Sequence, residues 1–136
     1  MLCKIIKGVC VMSRKATTII RRGHVWLADL RIGAIGSEQG EIRPVLVVQN
    51  NIGNKFSPTV TVVPLTTKRK NNLPTHVEIN DSCLPVLSIA LVEQIRTIDK
   101  SRLIKYIGKL NENIMGKINN AIAIQMGLFN NSMMTA

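Results

Sequence analysis

The stretch GSEQGEIRPVLVVQNNIGNKFSPTVTVVPLTT, residues 36 to 67, carries most of the information about the fold. Its segment PVLVVQN, residues 44–50, is apolar on both faces and predicts a central strand. NIGNKFSP holds a glycine and a proline and predicts a turn, after which TVTVVPLTT, residues 59–67, predicts a second β-branched strand. Pro64 lies inside this second strand and predicts an edge position or a bulge near its end.

Four further short strands are predicted around this pair. They are HVWLADL at 24–30, THVEIN at 75–80, SIALVEQIRTI at 88–98 and RLIKYIGKL at 102–110. The last two meet across the short turn 99–101, which predicts a hairpin. Between the first strand and the central pair, RIGAIGSEQGEI is glycine-rich and polar and predicts a mobile loop.

The C-terminal segment changes its period and predicts a helix that packs on the sheet. Asn111 is a candidate N-cap and Gly127 a candidate end. An apolar residue recurs every four positions between them, at Ile114, Ile118, Ile122 and Met126. Six short strands and one helix predict an α+β, mainly β, protein built on a small, strongly bent antiparallel sheet or barrel.

Composition limits the function classes. The chain has 136 residues and a net charge of +10, which suits a polyanionic partner, but six of its 18 basic residues precede the first acid, Asp29. Three widely spaced cysteines and two distant histidines predict neither disulfides nor a metal or other cofactor, and favour a cytoplasmic setting. No segment has the roughly 18 consecutive apolar residues of a membrane span.

Residues 1–20 alternate lysines with short apolar runs and are predicted to be a structureless extension, with Met12 an alternative start. Residues 21–136 are predicted to form a single domain. The sequence contains no phosphate-cradling G-x-x-x-x-G-K-[ST] motif and no nucleophile elbow. Arginine, glutamine and asparagine gather instead in loops and at strand ends, where they suit a phosphodiester ligand with readable base edges.

The motifs RRGHVWLADL, GSEQGEIRPVLVVQNNIGNKFSPTVTVVPLTT, LPTHVEI and VEQIRTIDKSRL, in this order, resemble the MazF/PemK family of toxin endoribonucleases, in the type found in Gram-positive bacteria. The resemblance covers about residues 21 to 128. It implies a small SH3-like barrel with a C-terminal helix, shared with CcdB-like toxins, and a homodimer. It also implies ribosome-independent, metal-independent cleavage of single-stranded mRNA at a short sequence, and an acidic MazE-type antitoxin as partner.

Carried over by motif, the resemblance places the catalytic arginine at Arg43 and the catalytic threonine at Thr66. It places RNA contacts at Ser37, Glu38, Gln39, Asn50, Lys68, His76 and Gln94. Without the resemblance, Arg43 is more simply a strand-root arginine paired with Glu41 or Glu38, and Thr66 a strand-end hydroxyl. Lys68 would then lie in a solvated loop.

The implied reaction is attack of the 2′-hydroxyl on the phosphate, which leaves a 2′,3′-cyclic phosphate and a 5′-hydroxyl. Arg43 suits the stabilisation of charge, but it accepts a proton poorly because a guanidinium carries only donors and no acceptor. Glu38 and His76 are chemically easier bases, so the proton acceptor stays open among these residues and water. The other functions kept open are a gyrase-poisoning toxin of the same fold and an inactive RNA-binding paralogue.

The chain also departs from the family pattern. His24 stands where an acidic residue is usual, which points to an effect on stability or on the dimer. The segment NDSCLPVLS is shorter than in relatives, and residues 1–20 have no counterpart.

Overall fold

The computed structural model describes residues 19–68 and 72–128, together with the backbone of two short strands near the N-terminus. The strands are β1 (Ile5–Ile6), β2 (Val9–Cys10), β3 (His24–Asp29), β4 (Ile42–Val47), β5 (Thr59–Thr66), β6 (His76–Ile79), β7 (Ser88–Leu91), β8 (Arg96–Asp99) and β9 (Leu103–Lys109). The helices are α1 (Asn51–Phe56) and α2 (Glu112–Gln125). Apart from β1, β2 and residues 19–20, the predicted structureless extension lies outside the described residues.

The main sheet has seven antiparallel strands, in the order β6-β7-β5-β4-β3-β9, with β8 also paired to β5. Strand β5 is the centre of the fold because it changes partner along its length. Its first half, Thr59 to Val62, pairs with β8, and its last two residues, Leu65 and Thr66, pair with β7. The predicted class, a mainly antiparallel sheet with a C-terminal helix, is confirmed.

Pro64 lies where β5 changes partner. It pairs with Val45 of β4 and is buried, and it falls between the stretch paired to β8 and the stretch paired to β7. The prediction of an edge or bulge was therefore only partly right. A proline lacks the backbone donor of a strand ladder, and this junction between two partners is a position where the sheet tolerates that loss.

The predicted strand 88–98 is wrong as a single element. It is divided into β7 and β8 by a 3₁₀ turn, Val92–Gln94, because the two halves pair with different parts of β5. The predicted hairpin across 99–101 is also wrong. β8 pairs with β5 whereas β9 pairs with β3, and a second 3₁₀ turn, Lys100–Arg102, redirects the chain between them.

The predicted turn after β4 is instead the short helix α1. The Asn50 side chain caps it by accepting a hydrogen bond from the Gly53 backbone N–H at 2.8 Å. The buried Asn54 side chain then donates to the Gln49 carbonyl at 2.9 Å. The first contact satisfies a backbone N–H that the start of a helix leaves without a partner, and the second ties the helix to the residue before its cap, so this short helix forms despite the glycine.

Helix α2 follows the prediction closely. Asn111 accepts from the Ile114 backbone N–H at 2.9 Å, and Gly127, with φ of +68°, ends the helix. Ile114 and Ile118 are buried against the sheet, and each contributes roughly 1.5–3 kcal/mol by leaving water. Met126 departs from the predicted stripe, since it lies past the last helical turn and is exposed.

Both faces of the central strands are buried. One face packs against α2 through residues such as Val25, Leu46 and Leu65, and the other packs against β8 and β9 through Trp26 and Val45. This explains why the central strands read as continuous apolar runs rather than alternating ones. The bases of the loops and the ends of these strands therefore keep fixed positions.

His24, the departure from the family pattern, lies at the start of β3. Its ring is 5.0 Å from the ring of Tyr106 in an edge-on arrangement. Burial lowers the pKa of His24 below its usual 6.5, and the nearby charges of Lys109 and Arg21 lower it further. Within the described residues, no helix is long and apolar enough to cross a bilayer.

Candidate active site

Arg43 is held at the root of β4 by its backbone and by its side chain. Its backbone pairs with Ala28 of β3, and its Nη1 donates to the Leu65 carbonyl of β5 at 3.2 Å. Nη2 donates to the Glu41 carboxylate at 2.9 Å. The side chain is only 11% exposed, and its Nε is buried without a hydrogen-bond partner among the described residues. The guanidinium therefore has a fixed position, and each Nη carries a second N–H beyond the one used in these contacts.

Thr66 lies on the neighbouring strand, across from Arg43. Val45 of β4 pairs with Pro64 of β5, and continuing this antiparallel register by two residues brings Arg43 opposite Thr66. Thr66 is buried, and its Oγ1 accepts from the Lys68 backbone N–H at 3.2 Å. The hydroxyl hydrogen is left for another acceptor.

These two residues share a cavity of about 180 Å³. Its lining consists of Glu41, Arg43, Pro44, Leu65, Thr66, Thr67, Lys68 and Ser88. Lys68 is exposed at the rim and adds a second positive charge. Its basic neighbours at positions 69 and 70 lie outside the described residues. A guanidinium, a hydroxyl and an ammonium around one small cavity form a site that suits a phosphate group.

The predicted RNA-contacting loop and Gln94 come together at a second location. The Gln94 side chain accepts from the Gln39 backbone N–H at 2.8 Å and donates to the Ser37 carbonyl at 3.2 Å. Glu38 is occupied within the loop, where its carboxylate accepts from the Ile35 backbone N–H at 3.2 Å. One amide side chain thus holds the loop at two points, and the predicted set Ser37, Glu38, Gln39 and Gln94 forms one cluster.

His76 is placed differently from a residue of the arginine cavity. Its Nε2 lies 2.8 Å from a carboxylate oxygen of Glu93, whose other oxygen accepts from the Thr75 hydroxyl at 3.1 Å. The His76 side chain is 7% exposed, and His76 is not in the described lining of that cavity. Since Glu93 precedes Gln94, the His76 pair borders the loop cluster.

Asn50 lies apart from both groups. It caps α1 beyond the C-terminal end of β4, whereas Arg43 lies at the strand's N-terminal end. A strand advances about 3.3 Å per residue, so seven positions separate the two by about 20 Å if the chain stays extended. The structure does not bring Asn50 to the predicted site.

Sequence reasoning missed three residues of this region. Ser88 is buried in the cavity, Glu41 lines it, and Glu93 fixes His76. The sequence indicates Glu41 only as an ion-pair partner of Arg43. Ser88 and Glu93 gave no local signal, because they reach the site only through the pairing of β7 with β5 and the turn that follows β7.

Fold and cavity together define a small α+β protein with an arginine-lined cavity beside neighbouring strands of an antiparallel sheet. Residues 21–126 match the family described as PemK-like, MazF-like toxin of type II toxin-antitoxin system. The chain belongs to this family.

Two curated relatives are similar over most of their length. The chain is 50% identical to "Endoribonuclease MazF" of Staphylococcus saprophyticus over 113 residues, which is 81% of this chain and 93% of the relative. It is 49% identical to "Endoribonuclease EndoA" of Bacillus subtilis over 113 residues, which is 81% of this chain and 97% of the relative.

Solved structures give the same fold. An endoribonuclease in complex with its cognate antitoxin, from Mycobacterial species, superposes with a TM-score of 0.68 at 34% identity, over 82% of this chain and 98% of that one. MazF of Deinococcus radiodurans superposes with a TM-score of 0.71 over 81% of this chain and 98% of that one. At 22% identity this second likeness concerns the fold alone.

Proposed function

We propose that this MazF-type toxin is an endoribonuclease that cleaves single-stranded mRNA at a specific short sequence. It acts without the ribosome and without a metal, through attack of the 2′-hydroxyl. The toxin endoribonuclease type rests on the family membership and on curated relatives at about half identity. The finer statements, on the RNA sequence, the ribosome, the metal and the 2′-hydroxyl attack, rest on the site residues.

The observation that carries the proposal is that Arg43 and Thr66 line one cavity, with the exposed Lys68 in the same lining. A phosphodiester in this cavity meets guanidinium donors on one side and a buried hydroxyl on the other. Because the arginine is held by β4 and by the Leu65 carbonyl, little reorganisation is needed when charge develops on the phosphate.

In the proposed reaction the 2′-oxygen forms a bond to phosphorus while the bond from phosphorus to the 5′-oxygen breaks. The 2′-hydroxyl loses a proton, the 5′-oxygen gains one, and the products are a 2′,3′-cyclic phosphate and a 5′-hydroxyl. Arg43 stabilises the negative charge on the non-bridging oxygens, and Thr66 donates a hydrogen bond to the same group. Both roles use hydrogen-bond donors of residues that line the cavity.

Proton transfer through Glu38 or His76 finds little support in the geometry. Glu38 bonds to its own loop, and His76 bonds to Glu93 outside the described lining of the cavity. The guanidinium of Arg43 is a hydrogen-bond donor with no acceptor. The proposal therefore gives Arg43 an electrostatic role and routes no proton through Glu38 or His76.

We assign recognition of the RNA sequence to the loop cluster of Ser37, Glu38, Gln39 and Gln94, with Lys68 contacting the backbone. Amide and carboxylate groups on a loop can read the edges of unstacked bases in single-stranded RNA. His76 borders this cluster through Glu93 and stays a candidate contact. Asn50 is left out of the proposed surface, because it caps α1 at the far end of β4.

The proposed partners are a second copy of the chain and an acidic antitoxin, in the cytoplasm. A net charge of +10 favours association with an acidic chain. The mycobacterial relative is described as bound to its cognate antitoxin, which supports the same arrangement here. Exposed apolar side chains on α1, Ile52 at 75% and Phe56 at 74%, favour a surface covered by a partner.

The test is to incubate the purified protein with a long single-stranded RNA in the presence of a chelator and to map the new 5′ ends. We expect discrete cuts at one short sequence, with 5′-hydroxyl ends that a kinase labels directly. Cutting that needs added metal would overturn the metal-independent part, and 5′-phosphate ends would overturn the 2′-hydroxyl mechanism. No cutting at any protein concentration would leave the gyrase-poisoning toxin or the inactive paralogue as the better assignment.

A further inference from the structure

Glu41 is the one carboxylate in the described lining of the arginine cavity. Its oxygen Oε2 lies 2.9 Å from Nη2 of Arg43. The two side chains differ strongly in exposure, at 11% for Arg43 and 71% for Glu41. The arginine is therefore part of the wall, while the glutamate reaches it from the solvent side.

A carboxylate and a phosphodiester offer a guanidinium the same kind of ligand, an anionic oxygen that accepts a charge-assisted hydrogen bond. In the structure Nη1 of Arg43 donates to the Leu65 carbonyl and Nη2 donates to Glu41. A phosphodiester entering the cavity must then compete for the Nη2 edge of the fork. It also meets the negative charge of the carboxylate at short range.

We propose that Glu41 is an internal competitor for the RNA phosphate on Arg43 and that it lowers the affinity of the chain for RNA. This inference rests on the proposed function, since it takes the phosphodiester of RNA as the ligand of Arg43. Glu41 acts through Arg43 and is a positioning residue, because it sets which anion the guanidinium holds.

The local structure lets the carboxylate leave without disturbing the site. The Glu41 backbone is anchored, because its carbonyl accepts from the Leu30 N–H at 3.1 Å. Gly40, which precedes it, packs so tightly that an added Cβ would lie 2.5 Å from the Cβ of Ala34. Only the exposed side chain of Glu41 has to rotate when RNA binds, and an ion pair with one exposed partner is weak enough to be replaced.

The test compares Glu41→Gln with the unaltered chain in two assays. Binding is measured by fluorescence anisotropy with a labelled 2′-O-methyl oligouridine 20-mer, which cannot be cleaved by 2′-hydroxyl attack. Cleavage is measured with the long single-stranded RNA at low and at saturating concentration. We expect Glu41→Gln to bind about fivefold more tightly, which corresponds to about 1 kcal/mol. We expect its kcat/KM to rise by a similar factor while kcat stays within about twofold.

Two controls distinguish competition for Arg43 from a general effect of removing one negative charge. Glu78→Gln removes the same charge from an exposed position on β6 and should change affinity by less than about twofold. In an Arg43→Ala background, Glu41→Gln should give no gain, since the group for which it competes is gone.

Three results would overturn the inference: an equal gain in Glu78→Gln, a gain that persists without Arg43, or unchanged binding. A loss of kcat of about 100-fold in Glu41→Gln would overturn it as well, by making Glu41 the base. Because the binding assay needs no cleavage, a failure of the proposed nuclease activity is read separately from a failure of the competition.

Discussion

Replacement of Arg43 by alanine is the most direct test of the site. We expect Arg43→Ala to lower the rate of RNA cleavage at least about 100-fold, which is about 2.7 kcal/mol of transition-state stabilisation. The physical reason is that Arg43 is the one guanidinium in the described lining of the cavity. Neither the Thr66 hydroxyl nor the exposed Lys68 can present its fixed fork of donors to a phosphate.

The same substitution should leave the fold intact. The variant loses the hydrogen bond to the Leu65 carbonyl, at a cost of about 1 kcal/mol. It also loses the pair with Glu41, which adds less than about 1 kcal/mol because that acid is largely exposed. A total of about 1–2 kcal/mol lowers the melting temperature by about 4–8 °C, and a domain stable by about 5–15 kcal/mol stays folded.

The assay is the initial cleavage rate at saturating RNA, measured beside thermal unfolding of the same preparation. Arg31→Ala is the matched control, since it removes an arginine that pairs with Asp29 and is 64% exposed. The reasoning is refuted if Arg43→Ala cleaves within about threefold of the unaltered chain, or if Arg31→Ala loses as much activity as Arg43→Ala.

The control variant, Arg31→Ala, is also expected to change the pKa of Asp29. A hydrogen bond from Arg31 is the main cause that lowers the pKa of Asp29 to about 2. A lowered carboxyl pKa stabilises the fold above the unfolded-state pKa, and this contribution is lost as the pH falls through about 2. In Arg31→Ala we expect the Asp29 pKa, followed by NMR, to rise toward 3.8. An unchanged value would contradict the assignment of the shift to Arg31.

Three further substitutions test the remaining parts of the site. Thr66→Val keeps the shape of a buried side chain but removes the hydroxyl, so cleavage should fall about tenfold with folding retained; an unchanged rate would remove Thr66 from the mechanism. His76→Gln should keep the pH dependence of the cleavage rate, because the ring is bonded to Glu93; loss of that pH dependence in the variant would make His76 the base. Gln94→Ala should speed hydrogen exchange at the Gln39 amide, which donates to the Gln94 side chain; unaltered protection of this amide would show that the loop keeps its position without Gln94.

For Arg43, the interpretation from local sequence alone agrees with the structure on one point. An arginine at the root of a strand was expected to pair with a nearby acid, and it does pair with Glu41. The same contact lies in a cavity with Thr66 and Lys68, so the pair does not exclude a functional role. The local sequence indicates the ion pair of Arg43 with Glu41, but the cavity forms only where residues of β5 meet Arg43.

Much of the fold could be predicted because its signals are local. The apolar runs that became β4 and β5, the cap at Asn111 and the glycine end of α2 depend on residues a few positions apart. The helix α1 was missed although its cap is also local, because Gly53 indicated a turn more strongly than Asn50 indicated a helix.

The sequence by itself determined the class of the fold, the family and the position of Arg43 at the start of a buried strand. An arginine followed by a proline and a run of aliphatic residues lies at the start of a strand wherever that run is buried, so its place along the strand is set locally, whereas the Leu65 carbonyl that holds its side chain comes from β5. Tertiary structure decided the break between β7 and β8, the arrival of Ser88 in the cavity and the pairing of His76 with Glu93. These depend on which strands pair with each half of β5, and such non-local pairing leaves no trace in the spacing of residues along the chain.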